Sequence, residues 1–216
     1  RDIKKIMSFV PEKRQTLLFS ATFSKEIRKL SHSYLSNPVS VEAAPENTTA
    51  DKIRQKLYRT DKSKKTALII KIIKDENWKQ GLVFTRTKHG ANKLCKKMIN
   101  QGITATAIHG NKTQNARVRA LADFKAGRVR IMVATDIAAR GLDIPLLPHV
   151  CNFELPNIAE DYVHRIGRTG RAGASGEAIS LVSSDEKEYV RDIEKLLGIK
   201  LEMNIMEGFE PSAETP

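Results

Sequence analysis

An α/β fold with a mostly parallel central sheet follows from three features of this 216-residue sequence. Short apolar runs, suited to strands buried on both faces, alternate with longer stretches whose apolar residues recur at helical spacing. Such alternation joins parallel strands through crossover helices. A hydrophobic content of 40% suffices for one sizeable core, and no repeat of fixed period runs through the chain.

In order, residues 1–10 predict a short amphipathic helix, with Ile3, Ile6, Met7 and Val10 on one face. The apolar run Thr16–Ser20 reads as a short buried strand. Ser24 is placed to cap a helix through about Leu35, with Ile27, Leu30 and Tyr34 as its stripe. Asn37-Pro38 ends it, and Val39–Val41 reads as one more strand. Residues 42–50 have almost no large apolar side chain and read as a linker. Strands are then expected at Ile53–Arg59, Leu82–Thr85, Thr104–Ile108, Ile131–Thr135, His149–Phe153 and Ala178–Val182. Helices are expected at Lys62–Asp75, Lys88–Gln101, Asn115–Ala126, Ala159–Ile166 and Asp185–Leu197. Residues 207–216 are polar and are expected to be a disordered tail.

The net charge of +12 points to a phosphate-bearing partner, most often nucleic acid. The two cysteines, Cys95 and Cys151, form no CxxC, which argues against a disulfide framework or a zinc site and fits a reducing, cytoplasmic setting. Their places in a helix and a strand make them core residues. No apolar run reaches membrane-spanning length and no leader stands at the start. Arg1 in place of methionine reads as an internal fragment.

The stretch His164–Gly173 (HRIGRTGRAG) sets three arginines among three glycines. A helix carrying Ile158, Tyr162, Val163 and Ile166 runs into it, and the glycines end it. Arg168 and Arg171 are then presented on a pliable loop. Their planar forks of donors match phosphate oxygens, as an arginine finger does; a solvated basic loop is the plainer alternative. Thr85, Arg86 and Thr87 end a strand, where hydroxyls and a guanidinium suit sugar–phosphate contact, or, for Thr87, a helix cap. Gly110 follows a strand, where a backbone N–H can approach phosphate closely. Gln114 and Arg117, three apart, share one helix face. Thr135 ends another strand, beyond which ligands gather in open α/β sheets. Asp136 is read as a cap for the turn at residues 137–140. His109 and His164 are far apart in sequence and show no partner cluster, so no metal site is expected.

HRIGRTGRAG resembles motif VI of the DEAD-box RNA helicases of superfamily 2. Ser20-Ala21-Thr22 resembles their motif III, Val83–Thr87 motif IV, and the stretch from Ala134 to Asp143 motif V. His109-Gly110 with Gln114 and Arg117 resembles their HG…QxxR element. The residues near Leu197–Phe209 are similar to the bacterial RNA helicase E subgroup. The resemblance implies a RecA-like second helicase domain over residues 51–206, a linker at 42–50, a polar tail at 207–216, and at 1–41 the last pieces of a first RecA-like domain. It implies that Arg168, Arg171, His164 and Arg165 serve catalysis. Gly141 and Asp143 would bind nucleotide with the two finger arginines, Asp143 through the ribose. Thr85, Arg86, Gly110, Gln114, Arg117 and Thr135 would hold RNA phosphates. Ser20, Thr22 and Arg140 would couple hydrolysis to closure. ATP and Mg2+ would be held mainly by the first domain, since this sequence has no GxxxxGK[ST] loop and no Asp-Glu-Ala-Asp box. The expected activity of the full protein is ATP-dependent RNA unwinding. This chain alone is expected to be inactive, a non-catalytic RNA-binding module. A DNA translocase of the same superfamily is a further alternative.

Overall fold

The computed structural model describes residues 2–20, 25–41, 53–139, 142, 144, 147–170 and 176–212. The chain divides into two compact units, Arg1–Glu46 and Asn47–Pro216.

The first unit holds helices α1 (Asp2–Met7) and α2 (Lys25–Tyr34). The expected strands at Thr16–Ser20 and Val39–Val41 do not form: both segments are irregular, and Leu17, Phe19, Val39 and Val41 are exposed. A lone apolar run has no ladder of backbone partners to make it a strand, and no described strand pairs with either segment. The proposed Ser24 cap and the linker at 42–50 lie outside the described residues.

The second unit is built on seven strands in the order β3-β4-β2-β5-β6-β1-β7. They are β1 (Ile53–Arg59), β2 (Gly81–Phe84), β3 (Ala105–Ile108), β4 (Ile131–Ala134), β5 (His149–Asn152), β6 (Gly176–Val182) and β7 (Met203–Asn204). Every pairing is parallel, with β2 between β4 and β5 (Gly81 opposite Ile131 and His149) and β6 between β5 and β1. The crossovers are α3 (Lys65–Asp75), α4 (Lys88–Asn100), α5 (Gln114–Lys125), α7 (Ala159–Ile166) and α8 (Lys187–Leu197), with a single turn, α6 (Asp136–Ala139), after β4.

Strand alternation explains the two layers. Val83, Val133, Cys151, Ile179 and Leu181 face one side, against Leu68, Ile69, Ile72 and Ile73 of α3 and Leu94, Cys95 and Met98 of α4. The neighbouring strand residues face the other side. Leu82, Phe84, Met132 and Val150 meet Phe124 of α5 and Ala138 of α6, while Ala178 and Val182 meet Tyr162 and Ile166 of α7 and Val190 and Ile193 of α8. Burial on both faces is why these strands read as continuous apolar runs. Helix ends are locally specified. Thr87 accepts from Gly90 N at 3.0 Å to cap α4, and Thr113 accepts from Ala116 N at 3.3 Å to cap α5. Gly198 ends α8 at φ +70°, a left-handed position that suits glycine.

The tail is corrected over residues 207–212. Phe209 packs against the core cluster shared by the sheet, α3 and α4, and its carbonyl accepts from Thr60 Oγ1 at 2.8 Å. Lys64 Nζ donates to Glu210 O at 2.6 Å, and Asp61 accepts from Ser212 N and Oγ. One aromatic anchor and the exposed start of α3 thus order a segment whose composition is polar. Strand β7 was not anticipated, and α6 was expected only as a turn at residues 137–140; both are too short to carry a period.

Candidate functional site

Because all strands point one way, the residues following β2, β3 and β4 gather at one carboxyl edge. Thr85 is fully buried there: its N–H donates to Ala134 O at 2.9 Å and its hydroxyl to Thr87 O at 3.2 Å. A hydroxyl turned inward is not offered to a ligand, so Thr85 joins β2 to β4 instead. Arg86 stays partly exposed. Its N–H donates to Glu154 Oε2 at 2.8 Å, and its guanidinium lies near Glu154 and Glu186 (3.9 and 3.7 Å), reaches Asn157 Oδ1 at 3.4 Å, and stands 5.7 Å from the centre of the Tyr189 ring. Gly110 is exposed, and a Cβ built there meets no atom within 4 Å, so packing does not demand glycine. Before it, His109 is buried, with Nε2 3.1 Å from Asn92 Oδ1 and Nδ1 enclosed without a partner. Burial, then Lys112, Lys88 and His89, push its pKa down, which favours the neutral ring. Gln114 Oε1 accepts from Arg117 Nη1 at 3.3 Å, as their shared helix face predicts. The carbonyl of Thr135 accepts from the N–H groups of Ala138 and Ala139 and opens α6.

Arg165 is the side chain that ties this edge to the motif VI helix. It is 1% exposed. Its Nε and Nη2 grip the two oxygens of Asp136, and its Nη1 reaches Asn152 Oδ1 at 3.0 Å and Glu154 O at 2.7 Å. The same guanidinium lies 5.0 Å from the centre of the Phe84 ring. A buried fork this fully occupied positions its neighbours and is not offered to a reacting phosphate. Asp136, expected to cap a turn, has its carboxylate on Arg165 of α7.

Beyond α7 the chain turns at the opposite, amino edge. Thr169 is buried, bridges to Leu147, and donates its hydroxyl to Leu147 O. Gly170 has φ +70°, and a Cβ there would come within 2.7 Å of Ile53, the first residue of β1. Arg168 sits on this turn, partly exposed, with Nη1 3.3 Å from Leu142 O. His164, half-buried on α7, has Nδ1 3.5 Å from Asp161 Oδ1. Arg168 and the residues expected to contact RNA are therefore at different edges of the sheet, joined through Arg165. Arg140, Gly141, Asp143, Arg171 and Thr22 lie outside the described residues; Ser20 is exposed in the first unit.

Two clusters escaped the sequence reading. Glu186, fully buried, accepts from Ser183 N at 3.1 Å and Leu155 N at 3.0 Å and forms an ion pair with buried Lys65, whose pKa burial pulls down. Lys65 also donates to Phe153 O and Leu181 O. This hub fixes the loop that carries Glu154. The second cluster is Glu76, His149 and Glu177, whose ligand atoms lie within 4.8 Å of one another. These partners are scattered along the chain, and no spacing announces them.

Residues 63–173 match the family model of the helicase conserved C-terminal domain. The DEAD-box ATP-dependent RNA helicase 10 of Arabidopsis thaliana is 41% identical over 201 residues, which cover 93% of this chain and 44% of that protein. The ATP-dependent RNA helicase RhlB of Pseudomonas putida is 40% identical over 213 residues, covering 97% and 54%. Among solved structures, E. coli DEAD-box protein SrmB, bound to regulator of ribonuclease activity A, matches with TM-score 0.71 and 34% identity over 76% of this chain and 97% of that one. S. cerevisiae Dbp5 bound to RNA and ADP BeF3 matches with TM-score 0.82 and 30% identity over 96% and 54%. The chain thus spans about half the length of the curated relatives it matches. The parallel sheet, the HRIGRTGRAG sequence and these matches agree on one assignment: the chain belongs to the DEAD-box helicase family and carries its RecA-like, helicase conserved C-terminal domain.

Proposed function

We propose that this chain serves a DEAD-box ATP-dependent RNA helicase as its second RecA-like domain, giving arginine donors to ATP phosphates and backbone contacts to RNA. Arg168 and Arg171 are the finger arginines, and Gly141 and Asp143 the nucleotide contacts. Arg86, Gly110, Gln114, Arg117 and Thr135 form the RNA edge. The observation that carries the reading is the clamp of Arg165 on Asp136, which holds the helix leading to Arg168 against the strand ends that carry the RNA residues. Arg165 is a positioning residue in this account, and Thr85 another. Ser20, Thr22 and Arg140 couple hydrolysis to closure, and His164 serves catalysis with the finger arginines.

The donors fit the group. Arginine is the side chain suited to phosphate oxygens, and Arg168 is partly exposed on a glycine-bearing turn. Bound ATP with Mg2+ supplies the transferable phosphoryl group and its charge neutralisation. This sequence lacks both the phosphate loop and the magnesium carboxylates, so hydrolysis belongs to the full-length protein. The chain alone acts as a weak, sequence-tolerant RNA binder. A cytoplasmic setting goes with the two free, buried cysteines and the RNA helicase relatives. Among the described residues, no helix is long and apolar enough to cross a membrane.

The test is ATP turnover with single-stranded RNA or DNA as stimulant. The full-length protein should respond to RNA and not to DNA, and this chain should show no turnover with either. Stimulation by DNA alone would favour a translocase, and steady turnover by this chain would overturn the division of labour.

A further inference from the structure

We propose that Glu76, His149 and Glu177 form a binding site for a borderline first-row dication of the zinc and nickel class. The site lies on the α3/α4 face of the sheet, at the amino ends of β5 and β6.

The topology assembles it. Glu76 follows the last residue of α3, His149 opens β5, and Glu177 stands one residue into β6, paired with His149 across the ladder. One ligand atom from each lies within 4.8 Å of the others. Three features separate this cluster from a chance gathering of carboxylates. First, His149 Nδ1 is enclosed and has no hydrogen-bond partner. Glu177 Oε2 is 3.7 Å away, too far for a hydrogen bond. An enclosed nitrogen without a partner carries a desolvation cost that a metal ion would remove. Second, each carboxylate is held by an outer donor on one oxygen. Trp78 Nε1 donates to Glu76 Oε2 at 2.7 Å, and Lys56 Nζ pairs with Glu177 Oε1 at 2.8 Å. That leaves the other oxygen of each without an outer donor among the described residues and available to an ion, as where supporting hydrogen bonds orient metal ligands. Third, the imidazole is fixed. It stacks on the Trp78 ring with centroids 4.3 Å apart and planes 4° from parallel.

The donor set selects the ion. One imidazole nitrogen and two carboxylate oxygens suit zinc or nickel, whereas calcium and magnesium prefer more, all-oxygen ligands. Metal–ligand bonds of about 2.0–2.2 Å in a tetrahedral site place ligand atoms about 3.4 Å apart. His149 Nδ1 and Glu177 Oε2 are already close to that separation. Glu76 is exposed and lies just past a helix end, so it is the arm that closes. Three protein ligands leave a fourth position to solvent. Two carboxylates against one ammonium leave a net negative charge before the ion arrives. Binding would fasten the α3–β2 connection to the starts of two central strands.

Trp78 is the only tryptophan in the sequence, which gives the test a direct reporter. The chain, stripped with EDTA, is titrated with Ni2+ or Cu2+ while Trp78 emission is followed, and with Zn2+ in a calorimeter. Saturable one-to-one quenching, one calorimetric zinc site and no response to Mg2+ are expected. H149A and E177Q should weaken binding by more than about 10-fold, and W78F, read by calorimetry, by about 10-fold or more through loss of the outer donor. E76Q changes an exposed side chain and should fold normally, so its loss of affinity separates ligand removal from unfolding; melting curves in EDTA check the other variants. Absence of saturable binding overturns the site. So does binding unchanged in both H149A and E76Q, which would place the ion elsewhere. None of these readouts depends on RNA or ATP.

Discussion

Arg165 holds Asp136 by two parallel hydrogen bonds, Nε to Oδ1 at 2.6 Å and Nη2 to Oδ2 at 2.8 Å. One partner is buried and the other is about three-quarters buried. Removing one side of such a contact leaves a charge without compensation.

R165A should therefore destabilise the chain by about 3–5 kcal/mol, because Asp136, Asn152 and the Glu154 carbonyl all lose a donor. D136N keeps the shape but weakens the pair, and should cost about 1–3 kcal/mol. Urea unfolding at neutral pH measures both. Equal, negligible losses would mean that the clamp does not hold the domain together.

Arg168 and Arg171 give the functional counterpart. In the full-length protein, R168K or R171K should cut kcat by about 10²-fold or more while leaving RNA affinity nearly unchanged. Lysine keeps the charge and loses the planar fork. A change of only a few-fold in kcat, with the loss in RNA Kd instead, would make this stretch an RNA clamp.

RNA binding by the chain should weaken steeply with salt, since each phosphate contact to single-stranded RNA contributes about −0.7 to the slope of log K against log salt. R86A and R117A should each flatten that slope. T85V should not, because the Thr85 hydroxyl is committed to Thr87 O inside the protein.

Gly170 should not tolerate a side chain. In G170A the left-handed φ of +70° and the approach to Ile53 act together, for about 2–4 kcal/mol. G102A is the control. Its φ is +78° but the space around it is open, so only the conformational part, about 1–2 kcal/mol, should be lost.

The docked tail should respond to acid. Ser212 hydrogen bonds hold the Asp61 carboxyl below its ordinary range, and Ser183 and Lys62 hold Asp185 at about 2. A depressed folded pKa gives stability that is present above the ordinary carboxylate value and is lost as pH falls through the folded value. Protection of the Phe209, Glu210 and Ser212 amides against hydrogen exchange, taken relative to the intrinsic rate at each pH, should thus persist down to about pH 4 and fall below it. D61N should release the segment at neutral pH.

Period and composition made the large elements readable. Ile53–Arg59 and Ala159–Ile166 form as their sequences predict, and the other strands and crossover helices fall within a few residues of expectation. Context decided the rest. Thr16–Ser20 has the composition of a buried strand but no described neighbour to pair with. Residues 207–212 look like a tail until Phe209 finds the core. Within the site, the sequence marks Arg165 and Arg168 alike as arginines of one motif. Only the fold shows that one is enclosed by Asp136, Asn152 and Glu154 while the other stands partly exposed. Partners such as Lys65 and Glu186, or His149 and Glu177, meet through strand order, which no local spacing encodes.

Strand β7 is only two residues long, yet it forms one of the two margins of the sheet. It covers Leu57 and Tyr58, the apolar half of β1, while the half it does not reach carries Arg54 and Lys56. A bare sheet margin is a template for other chains, and charged residues are a common guard against it. Here one half is guarded by charge and the other by the returning chain. Whatever loosens residues 203–212 therefore uncovers a sticky border as well as losing a few hydrogen bonds, and self-association, more than loss of fold, is the expected symptom.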